Sequence, residues 1–99
     1  MASLYISEYS HMGVATDGVP VPVEGTLVGR QKVSFTGTPG QSAAFGGTTR
    51  FIKITADGIF SYLVGSSPTA TTSDFRVAAD QIVFVGVEPG QKISAVTNT

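Results

Sequence analysis

The sequence predicts a single all-β domain, folded as a small β-sandwich or barrel with an extended N-terminal arm. Short runs of alternating apolar and polar residues recur along the 99 residues, and Pro-Gly or Asp-Gly pairs follow several of them. Weak helix formers interrupt every segment, so no long window has helical periodicity. The chain has no cysteine, hence no disulfide that could staple two smaller domains, and one hydrophobic core is expected.

The first 30 residues are expected to form the extended arm and its edge strands, and residues 31–99 the sandwich core. Leu4 and Ile6 alternate with Ser3, Tyr5 and Ser7, which predicts a first strand. Residues 19–23 read VPVPV, and alternate prolines fix φ and remove amide donors. Such a segment is typical of an arm or a sheet edge, not of a central strand.

The middle of the chain carries a strand and a turn. Val33 and Phe35 alternate with polar residues and predict a strand over residues 31–36. The Pro39-Gly40 pair that follows predicts a type II turn, because glycine accepts the positive φ that this turn requires. Residues 41–49 are small and polar around a single phenylalanine, so they are expected to form a long loop or a weak strand.

Residues 50–64 give the clearest local signal. Ile52 and Ile54 share one face of a predicted strand, and the alternation resumes at Phe60. Asp57-Gly58 lies between the two runs, and Asp-Gly flanked by alternating apolar residues predicts a β-hairpin.

The remaining third alternates loops and strands. A Ser/Thr/Ala loop is expected at residues 65–73, a short strand at 75–77 and the last strand at 92–96, after a second Pro-Gly turn at Pro89-Gly90. Residues 82–87 are almost continuously apolar, which indicates burial on both faces or burial against a partner, an ordinary core position being the simpler interpretation.

Charge is sparse and balanced, with six Lys or Arg against seven Asp or Glu and a net charge of −1. The basic footprint of a nucleic-acid-binding domain is missing, and so is a polybasic membrane patch. The N-terminus does not resemble a signal peptide, and no apolar stretch approaches the roughly 20 residues of a membrane helix. We therefore expect a soluble protein made in the cytosol that tolerates close contact with other protein.

Catalytic and metal-binding patterns are weak. His11 is the only histidine and no Gly-x-Ser-x-Gly motif accompanies it, so neither a nucleophilic serine nor a zinc site is indicated. Asp57, Asp74 and Asp80 sit in separate predicted turns, which explains them without general acid–base chemistry. The glycines of residues 86–92 lack the spacing of a phosphate-binding loop. We expect no enzyme, no cofactor and no metal.

Two binding chemistries remain open. Arg50, Lys53 and Arg76 near two phenylalanines could stack and neutralise nucleic acid, although solvated strand faces account for them more simply. A sandwich lectin could use tyrosines as a sugar platform, and the candidates are Tyr5, Tyr9 and Tyr62.

Residues 31–96, about two-thirds of the chain, resemble small virion proteins of tailed bacteriophages, of the capsid decoration or cement type. The segments that carry the resemblance are 31–33 (QKV), 41–45 (QSAAF), 49–54 (TRFIKI), 56–58 (ADG), 65–71 (GSSPTAT) and 87–93 (VEPGQKI). The resemblance implies a jelly-roll-like β-sandwich that binds the outside of a phage head and stabilises contacts between major capsid subunits. Residues 1–30 match less clearly, so a role for them is inferred from physics alone.

The resemblance implies that the partners are the major capsid protein and further copies of this chain, as a dimer or trimer, with no nucleic acid and no membrane. The protein is then synthesised in the host cytoplasm and located on the capsid surface of the virion. The alternative is a virion-associated module that binds glycan or host, such as a head fibre or tail adaptor. The arm can pair its edge with a neighbour, and its candidate contact residues are Leu4, Tyr5, Ile6, Tyr9, Val19, Pro20, Val21, Pro22 and Val23.

Overall fold

The computed structural model of the chain describes residues 2–10, 12–14, 20–24 and 27–98, with side chains described for 2–10 and 27–98. These residues form strands and no helix, so none of them belongs to a helix that could cross a membrane. The strands are β1 (Ala2–Tyr9), β2 (Met12–Val14), β3 (Pro20–Glu24), β4 (Leu27–Phe35), β5 (Gly40–Gln41), β6 (Phe51–Ala56), β7 (Phe60–Gly65), β8 (Phe75–Val77), β9 (Val83–Gly86) and β10 (Lys92–Thr97).

Two four-stranded antiparallel sheets make the sandwich, which confirms the predicted all-β class. The first sheet has the order β4-β1-β6-β9 and the second the order β5-β10-β7-β8, while β2 and β3 form a separate two-stranded sheet. The chain passes from one sheet to the other between β4 and β5, β5 and β6, β6 and β7, β8 and β9, and β9 and β10. Repeated crossings of this kind are characteristic of a jelly-roll-like sandwich.

Strand β1 lies in the interior of the first sheet, between β4 and β6. This differs from the arm predicted for residues 1–30, and the reason is the alternation that identified the strand. Leu4 and Ile6 face the second sheet and are fully buried, so β1 contributes to the sandwich core. Strand β4 also begins at Leu27, inside the predicted arm. Strands β2 and β3 lie outside the two large sheets.

The hairpin predicted at Asp57-Gly58 is wrong, because β6 and β7 belong to different sheets. Strand β6 pairs with β1 and β9, whereas β7 pairs with β10 and β8. Buried Ile54 and Phe60 approach the same core from opposite sides, so the turn reverses the chain across the sandwich. Asp57 Oδ1 accepts a hydrogen bond from the Ser3 N–H at 2.8 Å, which ties this turn to β1.

The two Pro-Gly pairs behave differently. Gly90 has φ of +85°, and the Gln91 N–H donates to the Glu88 carbonyl at 3.2 Å, which confirms the turn predicted there. Gly40 does not have a positive φ and lies in β5 instead, so the type II turn predicted at Pro39-Gly40 is wrong. Glycine is needed at Gly40 because a Cβ there would collide with the carbonyl oxygen of Ser34.

The core fills the space between the two sheets. Phe35 and Phe60 form a tilted pair with ring centroids 5.9 Å apart. The other buried members of this cluster are aliphatic, apart from Phe45. Burial of this continuous apolar surface is the main stabilising contribution to the fold.

The apolar run at residues 82–87 forms an edge strand rather than a strand buried on both faces. Val83 and Val85 pack against the core, and Val87 is buried. Ile82 and Phe84 point away and are exposed. The run therefore contributes to the core with one face and leaves apolar side chains on the other.

Candidate functional site: the open face of the first sheet

Part of the outer face of the second sheet, around Ser61 and Ser94, is covered by the chain itself. Ser61 and Ser94 point outward from β7 and β10, yet both are buried. The Ala70 N–H donates to Ser94 Oγ at 2.9 Å, and Asn98 Nδ2 donates to Ser61 Oγ at 2.7 Å and to the Thr72 carbonyl at 3.2 Å. The loop predicted at residues 65–73 thus has a structural role, because its backbone lies over this sheet.

The outer face of the first sheet has exposed side chains across β4 and β1. The register places Tyr5 between Lys32 and Thr55, and Ser7 between Arg30 and Lys53. Tyr5 is 45% exposed, and Arg30 and Lys32 are exposed. We call this surface the open face, defined by Tyr5, Ser7, Arg30, Lys32, Lys53 and Thr55.

The open face is positively charged. It holds three of the six Lys and Arg residues of the chain. Of the carboxylates in the part of the chain with described side chains, Glu8 points to the interior, and the other four lie in turns and loops: Asp57, Asp74, Asp80 and Glu88. Lys32 Nζ lies 5.4 Å from the centroid of the Tyr5 ring, a cation–π geometry that presents both groups together.

An aromatic row continues from the open face towards the edge strand β9. Tyr9 and Phe51 are stacked, with centroids 5.1 Å apart, and Phe84 lies 6.2 Å from Phe51. Tyr9 and Phe51 are buried, whereas Phe84 is 42% exposed. The row therefore ends in an exposed aromatic side chain at the border of the sheet.

The predicted contact residues of the first strand divide between the two faces of β1. Leu4 and Ile6 are in the core, and Tyr9 is buried in the aromatic stack, so in the folded chain only Tyr5 is available to a partner. The physical reason is that alternate residues of a strand point to opposite faces.

The predicted contacts in the proline-rich segment have a different status. The backbone of Pro20, Val21, Pro22 and Val23 is part of β3, which pairs with β2. Val19 lies outside the described residues. The contact role of these five residues stays a prediction.

Glu8 is a buried carboxylate that sequence reasoning missed. Its Oε1 accepts hydrogen bonds from the Gly46 N–H at 2.9 Å and from Thr49 Oγ1 at 3.0 Å, and its Oε2 accepts one from Gln31 Nε2 at 3.0 Å. Gln31 Oε1 in turn accepts from the Ala43 N–H at 2.9 Å.

The Glu8 network fastens the loop of residues 42–49 to β1 and β4. The burial of Glu8 could have been predicted from the sequence, because the alternation that places Leu4 and Ile6 in the core also places Glu8 there. A buried carboxylate must find hydrogen-bond donors, and this loop supplies them.

The three sugar-binding candidates do not converge. Tyr5 lies on the open face, Tyr9 in the buried stack and Tyr62 on the inner side of β7, so the three tyrosines form no common platform. Within the described ranges no three His, Cys, Asp or Glu residues lie together in a way that could hold a metal ion. His11 lies outside those ranges.

The cations considered for nucleic-acid stacking are also divided. Lys53 is in β6 of the first sheet, whereas Phe75 and Arg76 are in β8 of the second. They cannot act on one strand of nucleic acid as a single surface.

A depression of about 410 Å³ lies at one end of the sandwich and is lined by Ala2, Thr36, Gly37, Asp57 and Thr97. Among the described residues of this lining Asp57 is the only one with a titratable side chain, and it accepts the hydrogen bond from Ser3 described above. The depression therefore offers polar contacts but no pair of groups for acid–base chemistry.

Comparison with protein-family models, with curated proteins and with solved structures finds no match for this chain. Its function therefore has to be inferred from the open face and from the chemistry of the residues on it.

Proposed function

We propose that this chain is a structural virion protein of the capsid decoration type, which binds the outer surface of a phage head and stabilises contacts between neighbouring major capsid subunits. The observation that carries the proposal is the difference between the two sheets. The chain's own loop covers the part of the outer face of the second sheet around Ser61 and Ser94, whereas the open face presents exposed Tyr5, Arg30 and Lys32 on neighbouring strands. The open face therefore combines exposed aromatic and cationic groups that a partner could bind.

The residue types on the open face suit a protein partner. Tyrosine and arginine are enriched in protein–protein interfaces and supply much of the binding energy there. The cations favour an acidic patch on the partner, and such complementarity speeds association and fixes orientation. A sheet surface offers a broad contact area to a protein partner, whereas a small molecule requires a concave site.

The fold also suits a mechanical task. Each large sheet is held by a ladder of backbone hydrogen bonds, and one core joins the sheets. A rigid body of this kind loses little conformational entropy when it binds. Many copies on one shell, each joining adjacent subunits, would add modest contacts into stable attachment through high effective concentration.

Glycan recognition is the competing function. The exposed Tyr5 could stack on a sugar ring, but Tyr9 and Tyr62 are elsewhere and cannot complete a platform with it. A protein interface uses all three exposed groups of the open face, whereas a sugar site uses one of them.

The decisive experiment measures this protein on purified particles of the virus that encodes it. Quantitative mass spectrometry should find it in hundreds of copies per particle, as a rough expectation for a component that occupies repeated shell positions. A few copies would place it at the tail or portal, and its absence from particles would refute the proposal.

Heads depleted of the protein then test the open face. We expect the native chain to rebind these heads, with an affinity that falls as the salt concentration rises. The double variant Arg30→Glu/Lys32→Glu should bind with an affinity about tenfold or more lower. Lys92→Glu, a charge reversal on the second sheet, is the matched control and should bind normally. Equal binding by both variants would show that the open face is not the attachment surface.

A further inference from the structure

Strand β9 is an edge strand of the first sheet, and its outer edge has no neighbour among the described strands. It pairs with β6 on one side, from Phe51 opposite Gly86 to Ile54 opposite Val83. The other side presents backbone N–H and C=O groups that a further strand could bind. An edge of this kind is a template for pairing with another chain.

The sequence of this edge lacks the usual protection against such pairing. Residues 81–87 read QIVFVGV and contain no charged residue and no proline. Ile82 is 58% exposed and Phe84 is 42% exposed, and both sit on the outer face of the strand. Natural edge strands are commonly blocked by lysine, by other charges or by proline. The absence of all of these leaves an edge that favours pairing.

The other edge strands of the two large sheets are less suited to pairing with themselves. Strand β4 carries Arg30 and Lys32 at alternate positions, so two copies would bring like charges together. Strand β8 contains Arg76, and β5 is only two residues long.

We propose that β9 pairs antiparallel with β9 of a second copy of this chain, across a twofold axis, to form one continuous eight-stranded sheet. The pairing adds a named interface to the self-association expected for the proposed virion role, and it can be tested in solution without particles. It uses a different surface from the open face, whose Tyr5, Arg30 and Lys32 remain exposed in such a dimer.

Charge favours a second copy as the occupant. In a twofold pair, residues 81–87 of one copy meet the same neutral segment of the other, so no like charges are placed opposite each other within it. The flanking Asp80 and Glu88 lie outside strand β9. The nearest cation of the sheet is Lys53, which is opposite Phe84 on β6. Two Lys53 side chains would be three strand spacings apart, about 14 Å. That separation exceeds the Debye length of about 8 Å at physiological salt, so their repulsion is screened.

The packing of side chains on the outer face also favours a second copy as the occupant. Twofold pairing brings Ile82 and Phe84 of both copies onto one face, which extends the Tyr9–Phe51–Phe84 row across the junction. The strand is four residues long, so the buried area is small compared with the roughly 1,600 Å² of a standard interface. The dimer is therefore weak in dilute solution, and it is strengthened where copies are held side by side.

Sedimentation equilibrium over about a hundredfold range of protein concentration tests the proposal. The native chain should shift from monomer to dimer, and Phe84→Lys should lower the association constant by about tenfold or more, since it places two like charges at the junction. Leu63→Lys, an equally exposed position on the second sheet, is the matched control and should associate like the native chain. Urea unfolding confirms that each variant is folded.

Ile82→Glu provides a second edge variant, with the same expected result if Phe84→Lys does not fold. A native chain that stays monomeric throughout the range, or edge variants that associate as strongly as the control, would overturn the pairing. The double variant Arg30→Glu/Lys32→Glu should still dimerise while binding heads about tenfold or more weakly. A result that refutes β9 pairing can therefore be distinguished from a result that refutes attachment through the open face.

Discussion

Replacing Glu8 by alanine removes the acceptor at the centre of the network that holds the loop of residues 42–49. Three donors lose a bond: the Gly46 N–H and Thr49 Oγ1 lose their acceptor, whereas Gln31 Nε2 keeps its bond to the Ala43 carbonyl at 3.3 Å. Thr49 is fully buried and cannot reach water without opening the loop. The donors of Gly46 and Gln31 are only partly buried, so water can replace their lost partner at lower cost.

The expected loss of stability follows from how deeply each of these donors is buried. A buried donor left without a partner costs about 1–3 kcal/mol, and the two partly buried donors add a fraction of that each. We expect Glu8→Ala to lower the free energy of unfolding by about 2–4 kcal/mol. For a domain of this size, each kcal/mol lowers Tm by about 4–8 °C.

Glu8→Gln tests the two carboxylate oxygens separately, because it keeps one of them and replaces the other with an NH₂ group. Its amide oxygen can still accept from Gly46 and Thr49, but its NH₂ group would face the NH₂ group of Gln31. Rotation of the Gln31 amide would relieve that contact only by losing its two bonds with the Ala43 backbone, one from the N–H and one to the carbonyl. We therefore expect a loss of about 1–2 kcal/mol, intermediate between the native chain and Glu8→Ala.

Urea unfolding at pH 7, followed by circular dichroism, measures these values through the midpoint and the m-value. Glu88→Ala is the control, because Glu88 lies exposed in the Pro-Gly turn, and it should change stability by less than about 0.5 kcal/mol. If Glu8→Ala were as stable as the Glu88→Ala control, the network would not hold the loop and the reasoning would be refuted.

Two further predictions concern a close backbone contact and a partly buried phenol. Gly40→Ala should destabilise the fold by about 1–3 kcal/mol in the same assay, because the new Cβ collides with a β4 carbonyl, whereas Gly37→Ala has open space and should cost little. Equal effects would argue against the collision. Burial raises the pKa of the Tyr62 phenol, so its neutral form is favoured in the folded chain. Stability should fall as pH rises above about 10, where the unfolded chain loses this proton first. Tyr62→Phe should reduce that fall, measured by urea midpoints at several alkaline pH values, and an unchanged pH profile would contradict the assignment.

The strands with clear alternation could be predicted because their pattern is local. Leu4 and Ile6 identified β1, and the pairs around Ile54 and Phe60 identified β6 and β7. The partners of those strands could not be predicted, since Asp57-Gly58 permits a hairpin and a crossing between sheets equally well. The choice depended on β1, which is far from β7 in sequence and occupies the place beside β6.

The open face was only partly accessible to sequence reasoning. Tyr5 was expected at a contact, but Arg30 and Lys32 gained a role only when β4 was placed beside β1. The same alternation that predicted contacts at Leu4 and Ile6 also assigns them to the side opposite Tyr5, and the structure decided which side was buried.

The sequence by itself determined the all-β class, the single core and the turn at Gly90, because alternation, composition and backbone restriction act over a few residues. Tertiary structure alone decided the strand order, the covering of Ser61 and Ser94 on the second sheet by residues 70–72 and Asn98, and the bonding of buried Glu8. Each of these depends on contacts between residues distant in the chain, and their energies are realised only when the two sheets meet.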